Sequence, residues 1–376
     1  MEFIIDSACF NKAISEVNRA VSLKTQFPIL SGIKITVDHN HLTLVGSNSD
    51  IIIEKVIPVW KDELEVLEVC HTGSIVVSAQ LLSEILKKLP GKIHIKVNEE
   101  KHVTIQANEI VTTLYGFNAD EYPSLPQMEE TESIKILSDE LVEIIKQTVY
   151  AASKNESRPV LTGVNMSFYQ NRLTCIATNS QRLALRELTT NSFINGSFNV
   201  PATSLIELSN LINKESSVIN IFVTERYIVF KSNTISLFSK LIDGNYPNIS
   251  GLLSNNFRTT IILNTVQLLK AIDRACLFAS EWKNNNVQLE INDGAKIKIS
   301  SNSTEIGKIE ETLSIKAITG DTNLTISLDA IFLLDALKKI KEEEIKVSFN
   351  GSMSPILIEP IEQSSYLQLI SPVRSY

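Results

Sequence analysis

At 376 residues, 43% hydrophobic and 21% charged, the chain is long enough for two or three domains that each bury a core. A formal charge of −8 argues against gripping nucleic acid by bulk charge. No run of 18 apolar residues exists, and Met1-Glu2-Phe3-Ile4-Ile5-Asp6 lacks a basic flank and a cleavage site, so the expected location is cytoplasmic.

Along the chain, Phe10, Ile14, Val17 and Val21 fall at helical spacing behind the capping residues Asp6 and Ser7, predicting a helix over 7–22. Leu82, Leu86 and Leu89 after Ser78 predict a second over 79–89. The pattern then returns. Val142, Ile145, Val149 and Ala152 after Ser138 predict a helix over 138–154, and Leu205, Leu208 and Ile212 one over 203–214. Leu269, Ile272, Cys276 and Ala279 after Asn264 predict 265–283, and Leu333, Leu337 and Ile340 after Ser327 predict 329–341. Between these lie alternating or β-branched runs bounded by Gly, Asn and Asp, such as 42–45, 93–97, 218–223 and 345–349. The unit is α+β, with two helices among many strands.

Other landmarks keep the same period. Ser47-Asn48-Ser49, Thr178-Asn179-Ser180 and Ser301-Asn302-Ser303 recur at offsets of 131 and 123 residues, and the first-helix ends at Ser22, Ser153 and Ser280 at 131 and 127. Leu81 to Leu89 lines up with Phe332 to Ile340, and Tyr122-Pro123 with Tyr246-Pro247. The expected domains are therefore 1–128, 129–254 and 255–376, with Glu129-Glu130-Thr131-Glu132 as the first linker. Three copies occupy the whole length and leave no room for a separate catalytic domain.

Catalytic constellations are missing from the sequence. All five histidines lie in the first repeat, His39-Asn40-His41 sits in a polar turn, and Asp120-Glu121 are neighbours whose side chains point apart. There is no phosphate loop, no GxGxxG and no nucleophile elbow. Cys9, Cys70, Cys175 and Cys276 form no CxxC pair and read as buried free thiols. No metal or other cofactor is expected.

Charge is unevenly distributed. The six predicted helices carry a formal +3 and the remainder −11. Helices mildly basic on an acidic body suit a surface that tolerates phosphates without gripping them, if all six face one way. On the other reading, Lys87, Lys88, Lys338 and Lys339 merely complement helix C-termini.

Seven segments in order carry a resemblance over the full length: 27–33 (Phe27 to Ile33), Gly46 to Asp50, Ala119 to Pro123, Arg158 to Val164, Ala177 to Arg186, Asp243 to Pro247, and Leu369 to Tyr376. On these the chain resembles the β sliding clamps, the processivity subunits of bacterial DNA polymerase III, of the Gram-positive kind. The resemblance implies two chains of three like domains closed head to tail into a ring, with helices lining the hole and sheets forming the wall. Duplex DNA would thread the hole without sequence-specific contact, and the function implied is non-catalytic. Lys24 matches a basic position near DNA. From helix placement alone, Lys12, Arg19, Lys87, Lys88, Lys146, Lys154 and Lys214 join it, as do Lys270, Arg274, Lys338, Lys339 and Lys341.

The resemblance also implies an apolar cleft for short peptides from polymerase, clamp loader and repair proteins. Its matching positions are Leu161, Thr178, Ser180, Gln181, Arg182, Leu183, Pro247 and Leu252, closed by Leu369, Ser371, Pro372, Val373 and Arg374. The dimer contact is expected between the strand around Thr112 and Leu114 and a second surface at Leu277 and Phe278 with Ile297 and Ile299. Four positions depart from the family pattern. Gln181 replaces a usual histidine, Gln80 and Thr203 usual basic residues, and Thr112 a usual interface aromatic, suggesting a divergent second-copy clamp with a looser ring. The competing classes are a DNA-modifying enzyme on a repeated scaffold and a monomeric peptide-binding adaptor.

Overall fold

The computed structural model describes residues 1–376 apart from 23–25, 62, 128–132, 192–193, 213–216, 253–255, 280–285, 293–294, 304–306, 363–364 and 374–376. The linker at 129–132, the joints at 128 and 254, and Ser280 therefore lie outside the described residues, as do Lys24, Lys214 and Arg374. Two compact units are seen, Met1–Asp139 with Glu207–Leu241, and Glu140–Ile206 with Ile242–Tyr376. Sheet pairing explains why the middle repeat is shared between them.

In the first unit, an eight-stranded sheet runs Ile134–Leu137, Val218–Val223, Tyr227–Lys231, Ile235–Lys240, Ile51–Pro58, His41–Ser47, Gly32–Val37, Gly73–Ser78. The strand Ile235–Lys240 of the middle repeat pairs directly with Ile51–Pro58 of the first, Leu237 opposite Ile53. A five-stranded sheet runs Ile110–Tyr115, His102–Ala107, Lys92–Val97, Glu2–Asp6, Leu67–His71. Helices α1 (Ser7–Val17) and α2 (Ala79–Leu86) belong to this unit. α1 starts where the Asp6 carboxylate accepts from the Cys9 amide at 2.8 Å, and buries Phe10, Ala13, Ile14 and Val17. Phe10, Ile14 and Val17, withdrawn from water, each contribute about 1.5–3 kcal/mol before ordering costs. Phe10 meets Phe3 of the first strand edge to face, centroids 6.1 Å apart.

Helices α3 (Ser138–Thr148) and α4 (Ala202–Ile212) come from the middle repeat. The second unit holds a nine-stranded sheet ordered Gly196–Pro201, Gly163–Tyr169, Arg172–Thr178, Arg182–Thr189, Tyr366–Ile370, Ile356–Pro360, Glu344–Phe349, Thr259–Asn264, Ala317–Gly320. Here Arg182–Thr189 pairs with the last strand of the third repeat, Leu183 opposite Leu369. A four-stranded sheet runs Gly307–Ser314, Lys296–Ser303, Asn286–Ile291, Leu324–Asp329. Helices α5 (Thr265–Cys276) and α6 (Ala330–Leu337) pack on a core that includes Ile261, Leu289, Ile297, Ile299 and Phe349. The α+β architecture with two helices per repeat matches the expectation from the sequence, and the sheets are antiparallel, as in the clamp fold that the resemblance implies.

Three local expectations are corrected. The helices are shorter than read: after α1 and α3 the chain tightens into 3-10 turns at Asn18–Ala20 and Val149–Ala151, then turns extended. One 3-10 turn keeps nearly the apolar spacing of an α-helix, so periodicity alone does not mark the change. α6 is capped by Asp329, whose carboxylate accepts from the Phe332 amide at 2.9 Å, and not at Ser327, which lies within the preceding strand. Cys70 is exposed; Cys175 is buried, which pushes its thiol pKa up, while Cys9 and Cys276 are partly buried.

Candidate functional site

The repeated Asn turn shapes the segment Thr178 to Leu183, where the cleft is expected. Asn179 Oδ1 accepts from the amides of Gln181 at 3.0 Å and Arg182 at 2.9 Å, and Ser180 takes a left-handed φ of 77°. In the first repeat Asn48 Oδ1 accepts from Asp50 and Ile51, with Ser49 at φ 81°. One turn device thus accounts for both triplets. In the second unit the turn is pinned further. The Thr178 hydroxyl donates to the Arg182 carbonyl at 2.6 Å, and the Thr178 amide donates to the Tyr246 hydroxyl at 3.0 Å. Burial pushes the Tyr246 phenol up to about 12, so it remains neutral around this bond.

The C-terminal segment closes on this wall. The Ser371 amide donates to the Gln181 carbonyl at 2.8 Å, and the Val373 amide to Ser327 at 2.9 Å, while Pro372 bridges to Leu328. Leu183 and Leu369 share an apolar cluster with Leu185, Ile249 and Leu357. Gln181 and Pro247 are exposed, as is Leu252 at the end of the short turn Ser250–Leu252; Leu161 is buried in the turn Pro159–Thr162. No motif in the sequence marks Ile249 or Leu357; Leu357 reaches Leu183 through strand pairing with Leu369, and Ile249 comes from the loop before the turn Ser250–Leu252.

Arg182 is held within the fold. Its side chain is only 9% exposed and its guanidinium is engaged by its own chain: Nη1 donates to Asp335 Oδ2 at 2.8 Å and Nη2 to the Tyr150 carbonyl. The guanidinium carbon lies 4.5 Å from the Phe332 ring centroid and 5.3 Å from that of Tyr150.

The basic positions are less uniform than the sequence suggests. Lys12, Lys146, Lys270 and Arg274 lie within helices, but Lys87 and Lys338 are C-caps, and Lys88, Lys154, Lys339 and Lys341 lie past the helix ends. Lys87, Lys88, Lys338 and Lys339 thus sit where a cation complements a helix C-terminus. Carboxylates partner several of the rest: Arg19 meets Glu207 at 2.9 Å, Arg274 is bidentate to Glu311 at 2.6 and 2.9 Å, and Lys341 meets Glu143 at 3.3 Å. Lys339 Nζ sits 5.8 Å from the Tyr150 ring centroid.

The expected dimer surface needs correction in one part. Ile297 and Ile299 are each 1% exposed and belong to the core, and their strand Lys296–Ser303 is paired on both sides. The outer strand of that sheet is Gly307–Ser314. In the first unit, Ile110–Tyr115 is likewise outermost, carrying Thr112 and Leu114 half-buried and Val111 and Tyr115 exposed. Leu277, the C-cap of α5, is 72% exposed, and Phe278 is partly covered.

His39-Asn40-His41 forms a turn held by Asp38, whose carboxylate accepts from the Asn40 and His41 amides. Among the described residues there is no cluster of three or more metal-ligating side chains, and no helix long and apolar enough to cross a membrane.

Comparison with known proteins completes the picture. Family models for the DNA polymerase III beta subunit match in order, the N-terminal domain at residues 1–126, the central domain at 135–248 and the C-terminal domain at 251–374. A beta sliding clamp of Bacillus subtilis is 42% identical and one of Staphylococcus aureus 35%, each alignment covering 100% of both chains. The crystal structure of a DNA polymerase sliding clamp from Bacillus subtilis superposes with a TM-score of 0.97 at 41% identity, and that of a Streptococcus pyogenes polymerase beta subunit with 0.94 at 34%, again over 100% of both chains. With every repeat matched in order and the whole length covered, the chain belongs to the DNA polymerase III beta subunit family, the beta sliding clamps, non-catalytic subunits that confer processivity on DNA polymerase III.

Proposed function

We propose that two copies close head to tail into a ring around duplex DNA in the cytoplasm, each built of domains 1–128, 129–254 and 255–376. The strand Ile110–Tyr115 of one copy docks against Gly307–Ser314 of the other, extending two antiparallel sheets into one. The observation that carries this is the pair of outermost strands, one of them bearing exposed Ile110, Val111 and Tyr115. Unpaired edges that display apolar side chains invite strand pairing unless something covers them. Polymerase, clamp loader and repair proteins reach the ring through short extended motifs whose apolar side chains lodge beside Leu183 and Leu369.

Attachment by topology does not require strong phosphate contacts, and the ion-paired state of Arg19, Arg274 and Lys341 agrees with weak ones. The protein loaded on circular DNA should therefore stay bound, and leave within minutes of linearising the circle. Equal retention on closed and linear DNA with free ends would overturn the ring and favour a direct binder. A second expectation concerns charge. Glu207→Gln releases Arg19 from its carboxylate, so the slope of log affinity against log salt should steepen by about one for short duplexes. An unchanged slope across a salt titration would place Arg19 away from the phosphates.

Gln80, Thr203, Thr112 and Gln181 support a finer reading, a divergent second-copy clamp with a looser ring. Gln80 spends its amide on Glu84 at 3.2 Å, offering DNA no charge at that position.

A further inference from the structure

The family resemblance implies that Arg182 is among the peptide-contacting residues, yet its guanidinium is occupied by its own chain. Asp335 and Phe332 hold it from α6, and the Tyr150 carbonyl and ring from the turn that follows α3. Its backbone belongs to the cleft wall: the Arg182 carbonyl accepts from Thr178 and its amide donates to Asn179. On one side Gln181 is tied to Ser371 of the C-terminal segment, and on the other Leu183 stands opposite Leu369. A displacement of this one residue is therefore passed to both the turn and the apolar anchor.

We propose that Arg182 is a positioning residue of the cleft, a brace that sets the wall from Thr178 to Leu183 in its binding geometry and does not contact the peptide through its charge. This rests on the cleft reading above. A pre-set wall lowers the ordering cost of binding, and a planar guanidinium held by a carboxylate, a carbonyl and two rings supplies rigidity that an ammonium does not. Recognition then draws on apolar burial and backbone geometry, and is indifferent to charge on the peptide near this point.

The two roles for Arg182 give opposite signs in one experiment. Asp335→Asn keeps the size of the side chain on a partly exposed helix position and removes the charge that holds Arg182. A fluorescein-labelled peptide with apolar anchors and neutral flanks, and its counterpart carrying one added aspartate, are titrated by anisotropy against the intact protein and against Asp335→Asn, Arg182→Lys and Leu183→Ala. The brace predicts that Asp335→Asn weakens both peptides by the same factor, about three- to tenfold, and Arg182→Lys does so at least as strongly, chiefly through faster dissociation. A general loss of stability would lower the melting temperature without changing the affinity of the folded fraction. Asp335→Asn that tightens the acidic peptide, or Arg182→Lys that leaves the neutral one unchanged, overturns the brace and makes Arg182 a direct ligand. Unaltered binding by Leu183→Ala as well would bring down the cleft reading, and the brace with it.

Discussion

Val111→Asp combined with Leu277→Asp is expected to yield a folded protomer of 41.9 kDa, where the proposed dimer has twice that mass. Val111 is 59% and Leu277 72% exposed, so within one protomer each substitution alters stability by only about 0.5 kcal/mol or less. Across a closed interface the same aspartates would be buried without partners, at a cost of about 3–5 kcal/mol for an uncompensated charge. Protomer stability and association thus separate in one variant. The monomer should fail to remain on circular DNA and still bind peptide, since its cleft lies in other elements. Sedimentation over a concentration series checks this; a variant that stays dimeric at low micromolar concentration would move the interface elsewhere.

Truncation of Leu183 to alanine should cost about 1–3 kcal/mol in affinity for every apolar peptide tested, whatever its other residues. The side chain is 4% exposed and clusters with Leu185, Ile249, Leu357 and Leu369. Removing three carbon atoms there takes away an anchor surface and leaves a void that the strands on either side cannot close, because Leu183 is fixed opposite both Thr178 and Leu369. The fold will weaken as well, so affinity is to be read on folded protein, with calorimetry and titration done on the same preparation. Full affinity in a folded variant would show that peptides bind elsewhere on the chain.

How much of the site was legible depends on what kind of feature each residue belongs to. Asn179 and Ser180 could be found from the chain alone, because a side-chain carbonyl reaching two nearby amides is a local arrangement that recurs at Asn48. The cap at Asp6 and that at Asn264, which accepts from the Gln267 amide, are local in the same sense. Arg182 could not be read this way. Whether a guanidinium meets a peptide or Asp335 depends on residues about 150 positions away in the chain. The same holds for the basic positions, where Glu207 and Glu311 neutralise arginines far from them in sequence.

By itself, the sequence determined the threefold repeat, through landmarks that recur along the chain, and the helix and strand segments and α+β class, since these follow from short-range periodicity. Only the tertiary structure decided which strands are outermost. Ile297 and Ile299 alternate with polar neighbours as an edge or an inner strand would; Gly307–Ser314 pairs beyond their strand, and residues of α5 and α6 cover their face. Alternation tells which residues share a face; what covers that face, and whether another strand follows, is set by long-range pairing that no local pattern records.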